Sequence, residues 1–468
     1  MKFKIYQIIL ISIFAGLLIT SCKKTVDPAP PAGNGFESLQ VPEGFTWSTL
    51  NKSHFTVQIV DASGNSSSEL NGYPLDATDL TGNLLQRVTV KDGKASYYLE
   101  LNKSINEFRL YAPTHEIEQI IDLNIQTKIF QLPANQKSVK SYSDTDGDGV
   151  FDDFDDFPTN PALAYQVFYP SPYSNTSLKS GDDTQFIVWY YQMFEDLWPS
   201  KGDYDLNDLI IKLRMVVNFD ASNTWISGTF DYYIWTNGAS INLGCGMEFF
   251  NWTGYQGDKL VLEYLNADQI TLVPGTYNPT FTMPDPLVDN GFIIFNNADL
   301  VKGTDYWNTG AGPSANPMAS HLSFDYVVTP PTANGYMAAF MYLFYTDDRG
   351  HEVRPIGLPP TTGGNWALLG TGNDNSPTAP WDYTPHSASF LYPYDPPFYA
   401  NSYGHPWGIE LSFDGNLSVP FERVSIIDAF PQFQSWAESG GTVNTTWYNF
   451  PVADPTKVFN VSSLIPPK

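Results

Sequence analysis

The chain has 468 residues and a formal net charge of −26, with 15% aromatic and 42% hydrophobic side chains. Such acidity excludes nucleic acid and anionic membrane surfaces as partners, and such apolar content excludes a disordered chain. The length exceeds one hydrophobic core, so two or three domains are expected.

Residues 1–21 read as a signal peptide. Lys2 and Lys4 precede an apolar run from Ile8 to Ile19, too short for a lasting membrane span. The run ends in Ile19-Thr20-Ser21-Cys22, which resembles the bacterial lipobox, whose cysteine is lipidated and becomes the new N-terminus. An outer-membrane lipoprotein follows as the expectation, held to the membrane by acyl chains at about 0.8 kcal/mol per buried methylene. Once the leader is removed, 22 basic side chains face 50 acidic ones, a charge of −28. With Cys22 lipidated, Cys245 in "INLGCGMEFF" has no partner for an intrachain disulfide and reads as a small core residue.

Residues 22–44, in which "KKTVDPAPPAGNG" follows Cys22, lack apolar periodicity and are expected to form an extended tether. Residues 45–133 read as a small immunoglobulin-like β-sandwich. Phe55, Val57 and Ile59 alternate with Thr56, Gln58 and Val60, and Ile121, Leu123 and Ile125 form a second alternating set. The turn signals "DASGN", "NGYP", "KDGK" and "NKSIN" separate the runs at intervals that suit a sandwich.

Residues 134–158 form a linker that carries "DTDGDGVFDDFDDFP". Counted from Asp144, the side chains of Asp146, Asp148, Asp152 and Asp155 stand at positions 3, 5, 9 and 12. Gly149 stands at 6, and Val150 offers its carbonyl at 7. This is the spacing of an EF-hand calcium loop, in which alternating carboxylates aim at one centre and the glycine permits a sharp turn. Position 12 is Asp155 rather than glutamate, and no long helix flanks the loop. It therefore resembles a single thrombospondin type 3-like repeat. Calcium is the expected cofactor, held at about 10⁻⁴ to 10⁻³ M and acting as a structural clip between two domains.

Residues 159–468 are expected to form one large β-rich domain. Ile211, Leu213, Met215, Val217 and Phe219 alternate with Lys212, Arg214 and Asn218, and "GTFDYYIWTNG" and "YMAAFMYLFY" add aromatic strands. A short helix is expected over "PQFQSWAESGG", with Phe433, Trp436 and Ala437 on one face and Gly440 past its end. "FEDLWPSKGDYDLNDLII" gathers Glu195, Asp196, Asp203, Asp205, Asn207 and Asp208. Asp203, Asp205 and Asn207 repeat the first ligand positions of a calcium loop, but Asp208 replaces the glycine and Arg214 stands at position 12. Two readings stand: half a metal site completed by Glu195 and Asp196, or caps on the turns before a strand.

In order, "FEDLWPSKGDYDLNDLII", "DDRGHEVRPIGLPPT", "LLGTGNDNS", "PWGIEL" and "IIDAFPQFQSWAESGG" resemble the LruC-domain family of bacterial outer-membrane lipoproteins over about residues 159 to 460. The resemblance implies an envelope location and this order of modules; it brings no reaction. Zinc-protease, serine-hydrolase and phosphate-loop motifs are lacking, and His54, His115, His321, His351, His386 and His405 are scattered. Aromatic residues from Trp381 and Tyr383 through Tyr392, Tyr394, Phe398, Tyr399, Tyr403 and Trp407 either stack on sugars or pack their own loop. The expected role is non-catalytic binding or adhesion, with a glycan or protein ligand. A glycan-capturing or glycan-degrading component and a structural subunit of an envelope complex stand as alternatives.

Overall fold

The computed structural model describes residues 35–125, 127–134, 142–173, 188–256, 259–265, 269–273, 291–302, 320–332, 336–378, 390–449 and 452–461. The signal peptide, Cys22, His386, Trp381 and Tyr383 lie outside them. The described chain is mainly β.

Seven strands build the first unit: β1 Leu50–Val60, β2 Pro74–Thr78, β3 Leu84–Thr89, β4 Lys94–Asn102, β5 Glu107–Ala112, β6 Ile117–Asp122 and β7 Lys128–Gln131. They form two sheets, β4-β1-β7 and β3-β2-β5-β6, around a shared core that includes Val57, Ile59, Leu75, Val88, Leu99, Phe108 and Phe130. The period-2 pattern of β1 buries Phe55, Val57 and Ile59 and exposes Thr56 and Gln58, as alternation requires. The second alternating set is shorter than expected: β6 stops at Asp122, and Ile125 is exposed on the turn that follows.

Fifteen further strands follow: β8 Tyr165–Tyr169, β9 Trp189–Phe194, β10 Leu209–Phe219, β11 Trp225–Asn237, β12 Leu243–Gln256, β13 Lys259–Tyr264, β14 Ile270–Leu272, β15 Gly291–Phe295, β16 His321–Thr332, β17 Tyr336–Tyr345, β18 Asp348–Val353, β19 Phe390–Tyr392, β20 Gly408–Phe413, β21 Val419–Pro420 and β22 Val458–Phe459. One sheet runs β14-β16-β11-β10-β9-β20, and β8 shares an edge of β10 with β9. The other runs β18-β17-β12-β13-β19, with β15 on β12. Between them lies a core that contains Ile211, Leu213, Met215, Val217, Phe230, Met247, Phe249, Phe324 and Phe340. Cys245 is a free, fully buried thiol there.

A third layer covers the far face of the first sheet. Tyr191, Met193, Ile210, Trp235, Ile409 and Leu411 pack beneath the helices Ile426–Ala429 and Phe433–Glu438 and beneath Trp447. Burial on both faces explains why Leu209 to Leu213 are all buried, including Lys212 at 4% exposure. The expected helix forms with Phe433, Trp436 and Ala437 buried, and Gly440 beyond it takes the left-handed φ of +66° that glycine tolerates.

This layer corrects the expected boundaries. Phe36, Leu39, Phe45 and Trp47 belong to the same cluster as Trp436 and Trp447, with Leu39 and Trp47 fully buried. The tether expected over 22–44 therefore ends before Phe36, and residues 45–49 pack with the large unit rather than the sandwich. Pro and Gly around residue 35 hid this, because a few aromatic anchors suffice to bury a segment that has no period. Trp47 donates its indole N–H to the Gly404 carbonyl at 2.8 Å, and His405 meets the Leu39 carbonyl at 3.1 Å.

Candidate metal centres

The aspartate loop sits against both units. Arg87 of β3 grips Asp76 through two bonds of 2.6 and 2.7 Å and donates to the Phe154 carbonyl at 3.2 Å. Asp156 accepts from the Gln166 N–H on β8, and Val150 is buried in the large core. The stretch from Asp144 onward is thus a packed junction rather than a loose linker.

Within it, one carboxylate oxygen each from Asp144, Asp146 and Asp148 lies within 4.8 Å of the other two. Gly147 and Gly149, at φ of +80° and +99°, provide the left-handed turns, and their N–H groups donate to Asp144 at 2.7 and 3.1 Å. Asp146 Oδ2, Asp148 Oδ2 and Asp155 Oδ2 are buried with no hydrogen-bond partner. Burial raises the Asp148 and Asp155 carboxyls, Asp155 to about 6, and the neighbouring aspartates add to the rise. Asp152 departs from the expected ligand set. It accepts from Ser143 Oγ, Thr145 N and Thr145 Oγ1, each at 2.7 Å, and those bonds hold its carboxyl below the usual range. It braces the loop from outside.

The second cluster forms at one end of β9 and β10. One oxygen from each of Glu195, Asp205 and Asp208, all buried, falls within 4.8 Å of the others, and Asp203, Asp205 and Glu422 form an overlapping group that shares Asp205. Left-handed Tyr204 and Leu206, at φ of +57° and +54°, turn alternate side chains of the loop to one side. Asp205 accepts from Asn207 N at 3.1 Å and Arg423 N at 2.7 Å, and Glu195 accepts from Leu206 N at 2.7 Å. Asp208 accepts from the Asp196 N–H, so Asp196 joins through its backbone and its carboxylate stands outside both groups. Asn207 donates to the Pro420 carbonyl at 3.0 Å. Burial first, and the other carboxylates second, push Glu195, Asp205, Asp208 and Glu422 upward. Turn capping alone would not gather side chains from so far along the chain. Glu422 was missed in the sequence, where "PFERV" is a lone acid with no spacing to mark it.

Two of the described histidines are engaged away from both clusters. His351 stacks on Tyr345 at 3.8 Å and meets the Trp198 carbonyl, within the β17–β18 hairpin that "TDDRGHEV" predicts. His321 pairs with Asp231 at 3.2 Å. Of the aromatic stretch, Phe398, Tyr399 and Trp407 are buried in the large core and fasten their segment to the domain.

A family model described as a domain of unknown function (DUF4842) matches residues 223–448. The chain is similar to a crystal structure of a provisionally named lipoprotein from Bacteroides ovatus, at 13% identity and a TM-score of 0.39, covering 88% of this chain and 93% of that one. It is more distantly similar to the full-length major pilin RrgB of Streptococcus pneumoniae, at 9% identity and a TM-score of 0.12, covering 62% of this chain and 48% of that one. No curated protein sequence matches. Among the described residues no helix is long and apolar enough to cross a membrane.

Proposed function

We propose that the chain is a calcium-braced, non-catalytic binding protein of the outer membrane, lipidated at Cys22 and built like an LruC-domain lipoprotein with one thrombospondin type 3-like repeat. One observation carries this reading. Asp144, Asp146 and Asp148 converge at the junction of the two units, while buried oxygens of Asp146, Asp148 and Asp155 have no donor. A hard dication supplies what those oxygens lack, and it would fix one unit against the other.

The test is calorimetric titration of the full chain with CaCl2, beside the Asp146→Asn/Asp148→Asn variant. The wild type should bind one more calcium than the variant, in the range 10⁻⁴ to 10⁻³ M. Equal stoichiometry would remove calcium from this junction. A glycan array and in-cell cross-linking then separate a sugar ligand from a protein neighbour.

A further inference from the structure

The Glu195–Asp208 cluster shares unpartnered buried oxygens with the aspartate loop and adds wholly buried carboxylates and ligands from distant parts of the chain. Glu195 and Asn207 are 0% exposed, and Glu195 Oε2 and Asn207 Oδ1 have no hydrogen-bond donor. Glu422 Oε2 is buried without one as well. Gly238 closes the cluster: a Cβ there would lie 2.7 Å from Asn207 Oδ1 and 2.8 Å from Glu422 Oε2. Gly202 does the same beside Glu195, where an added Cβ would collide with Oε2. Both glycines leave room around acceptor atoms that nothing in the protein satisfies.

Charge points the same way. Among the described residues no lysine or arginine pairs with Glu195, Asp203, Asp205, Asp208 or Glu422. Five carboxylates in two overlapping groups, four of them wholly or partly buried, repel one another, and a cation among them removes that repulsion. The donors are all oxygen, five carboxylates and one amide carbonyl, with no thiolate and no imidazole. That set favours a hard ion with six or more oxygen ligands and disfavours zinc. Magnesium, which keeps several waters and demands octahedral geometry, suits a crowded protein-oxygen cage less well than calcium.

We infer that Glu195, Asp203, Asp205, Asn207, Asp208 and Glu422 form a buried calcium site centred on Asp205, independent of the aspartate loop. Its ligands come from the end of β9, the β9–β10 loop and the segment after β21. The ion therefore staples the outer helical layer to the sheet. Exposed Asp203 stands at its mouth and gives the route of entry.

The experiment uses the full chain with the surface loop disabled by Asp146→Asn/Asp148→Asn, stripped with EDTA, desalted and titrated with CaCl2. At least one calcium should bind, more tightly than 10⁻⁴ M and at least tenfold more tightly than magnesium in a parallel MgCl2 titration. Adding Glu422→Gln, at the edge of the cluster and bound to no backbone group, should weaken calcium tenfold or more while the apo protein melts within a few degrees of its parent. No calcium bound up to millimolar, with the same melting temperature in EDTA and in CaCl2, overturns the site, as does calcium binding that Glu422→Gln and Asp205→Asn both leave unchanged. Because the loop is already disabled, failure here leaves the junction reading intact.

Discussion

Lys52 offers the sharpest test of how the two units are joined. It stands on β1 directly across from Glu100 on β4, and its ammonium lies 3.6 Å from Glu410 on β20 of the large unit. Glu410 also accepts from Ser48 at 3.0 Å and Gln192 at 2.8 Å. Phe340 lies 5.0 Å from the ammonium on the large-unit side. Burial opposes the charge on Lys52, but Glu100 and Glu410 outweigh it and raise the ammonium well above its usual range. Lys52→Met leaves two buried carboxylates facing one neutral side chain. At 3.6 Å and an effective dielectric near 20, the lost attraction is about 4–5 kcal/mol, and relief of the lysine's own desolvation trims the net loss to about 3–4. The assay is guanidinium denaturation followed by tryptophan emission, at pH 7.5 and pH 5. Burial lifts the Glu100 carboxyl above its usual value even with Lys52 beside it. A raised carboxyl penalises the fold above its folded pKa and less as pH falls through it, so the deficit should shrink at pH 5. The double variant Lys52→Met/Glu100→Met should regain only part of the loss, since Glu410 stays buried without the ammonium that paired with it. A loss below about 1 kcal/mol, or one equal at both pH values, would refute the reasoning.

Gly228→Ala should destabilise by about 1–3 kcal/mol or more, because its Cβ would press on the Val216 carbonyl and the Tyr326 hydroxyl, and the first of these is immovable sheet backbone; chemical denaturation reads it. Trp436→Ala should cost about 3–5 kcal/mol and make the Phe36–Trp47 segment cleavable by chymotrypsin under native conditions, as that segment rests on the same cluster. Lys212 lies 4.6 Å from the Trp235 ring and 4.9 Å from Trp189, and burial, with Arg214 adding to it, pushes its ammonium down to about 7. Between pH 7 and 10.5 the unfolded chain then holds a proton the folded one lacks, so the wild type should gain stability as pH rises through that window and Lys212→Met should not. The difference in denaturation midpoint between pH 7 and 9.5 should be worth at most ~3 kcal/mol, with the surrounding rings reducing it.

What could be read from the sequence was local. The alternation of Ile211 to Phe219 gave β10, the glycine at position 6 gave the loop turn, and Trp436 with Gly440 gave the helix and its end. In each case the physical signal repeats within a few residues. Glu422 carries no such signal; it reaches Asp205 only because β21 lies over the end of the sheet. Phe36 and Leu39 sit in a Pro- and Gly-rich stretch whose burial depends on a surface made by the far end of the chain. Asp152 occupies a ligand position by spacing, yet Ser143 and Thr145 compete for it, and hydroxyl and amide donors next door win.

The burial of Phe36 and Trp47 beneath Trp436 reorders the molecule along any line of pull. In sequence the sandwich comes first, yet a load entering ahead of residue 35 would reach the large unit's outer layer before any strand of the sandwich bears it. Val461, near the other end of the described chain, lies in that same layer. The first and last described segments thus close one outer layer together, and the sandwich is set between them in sequence only.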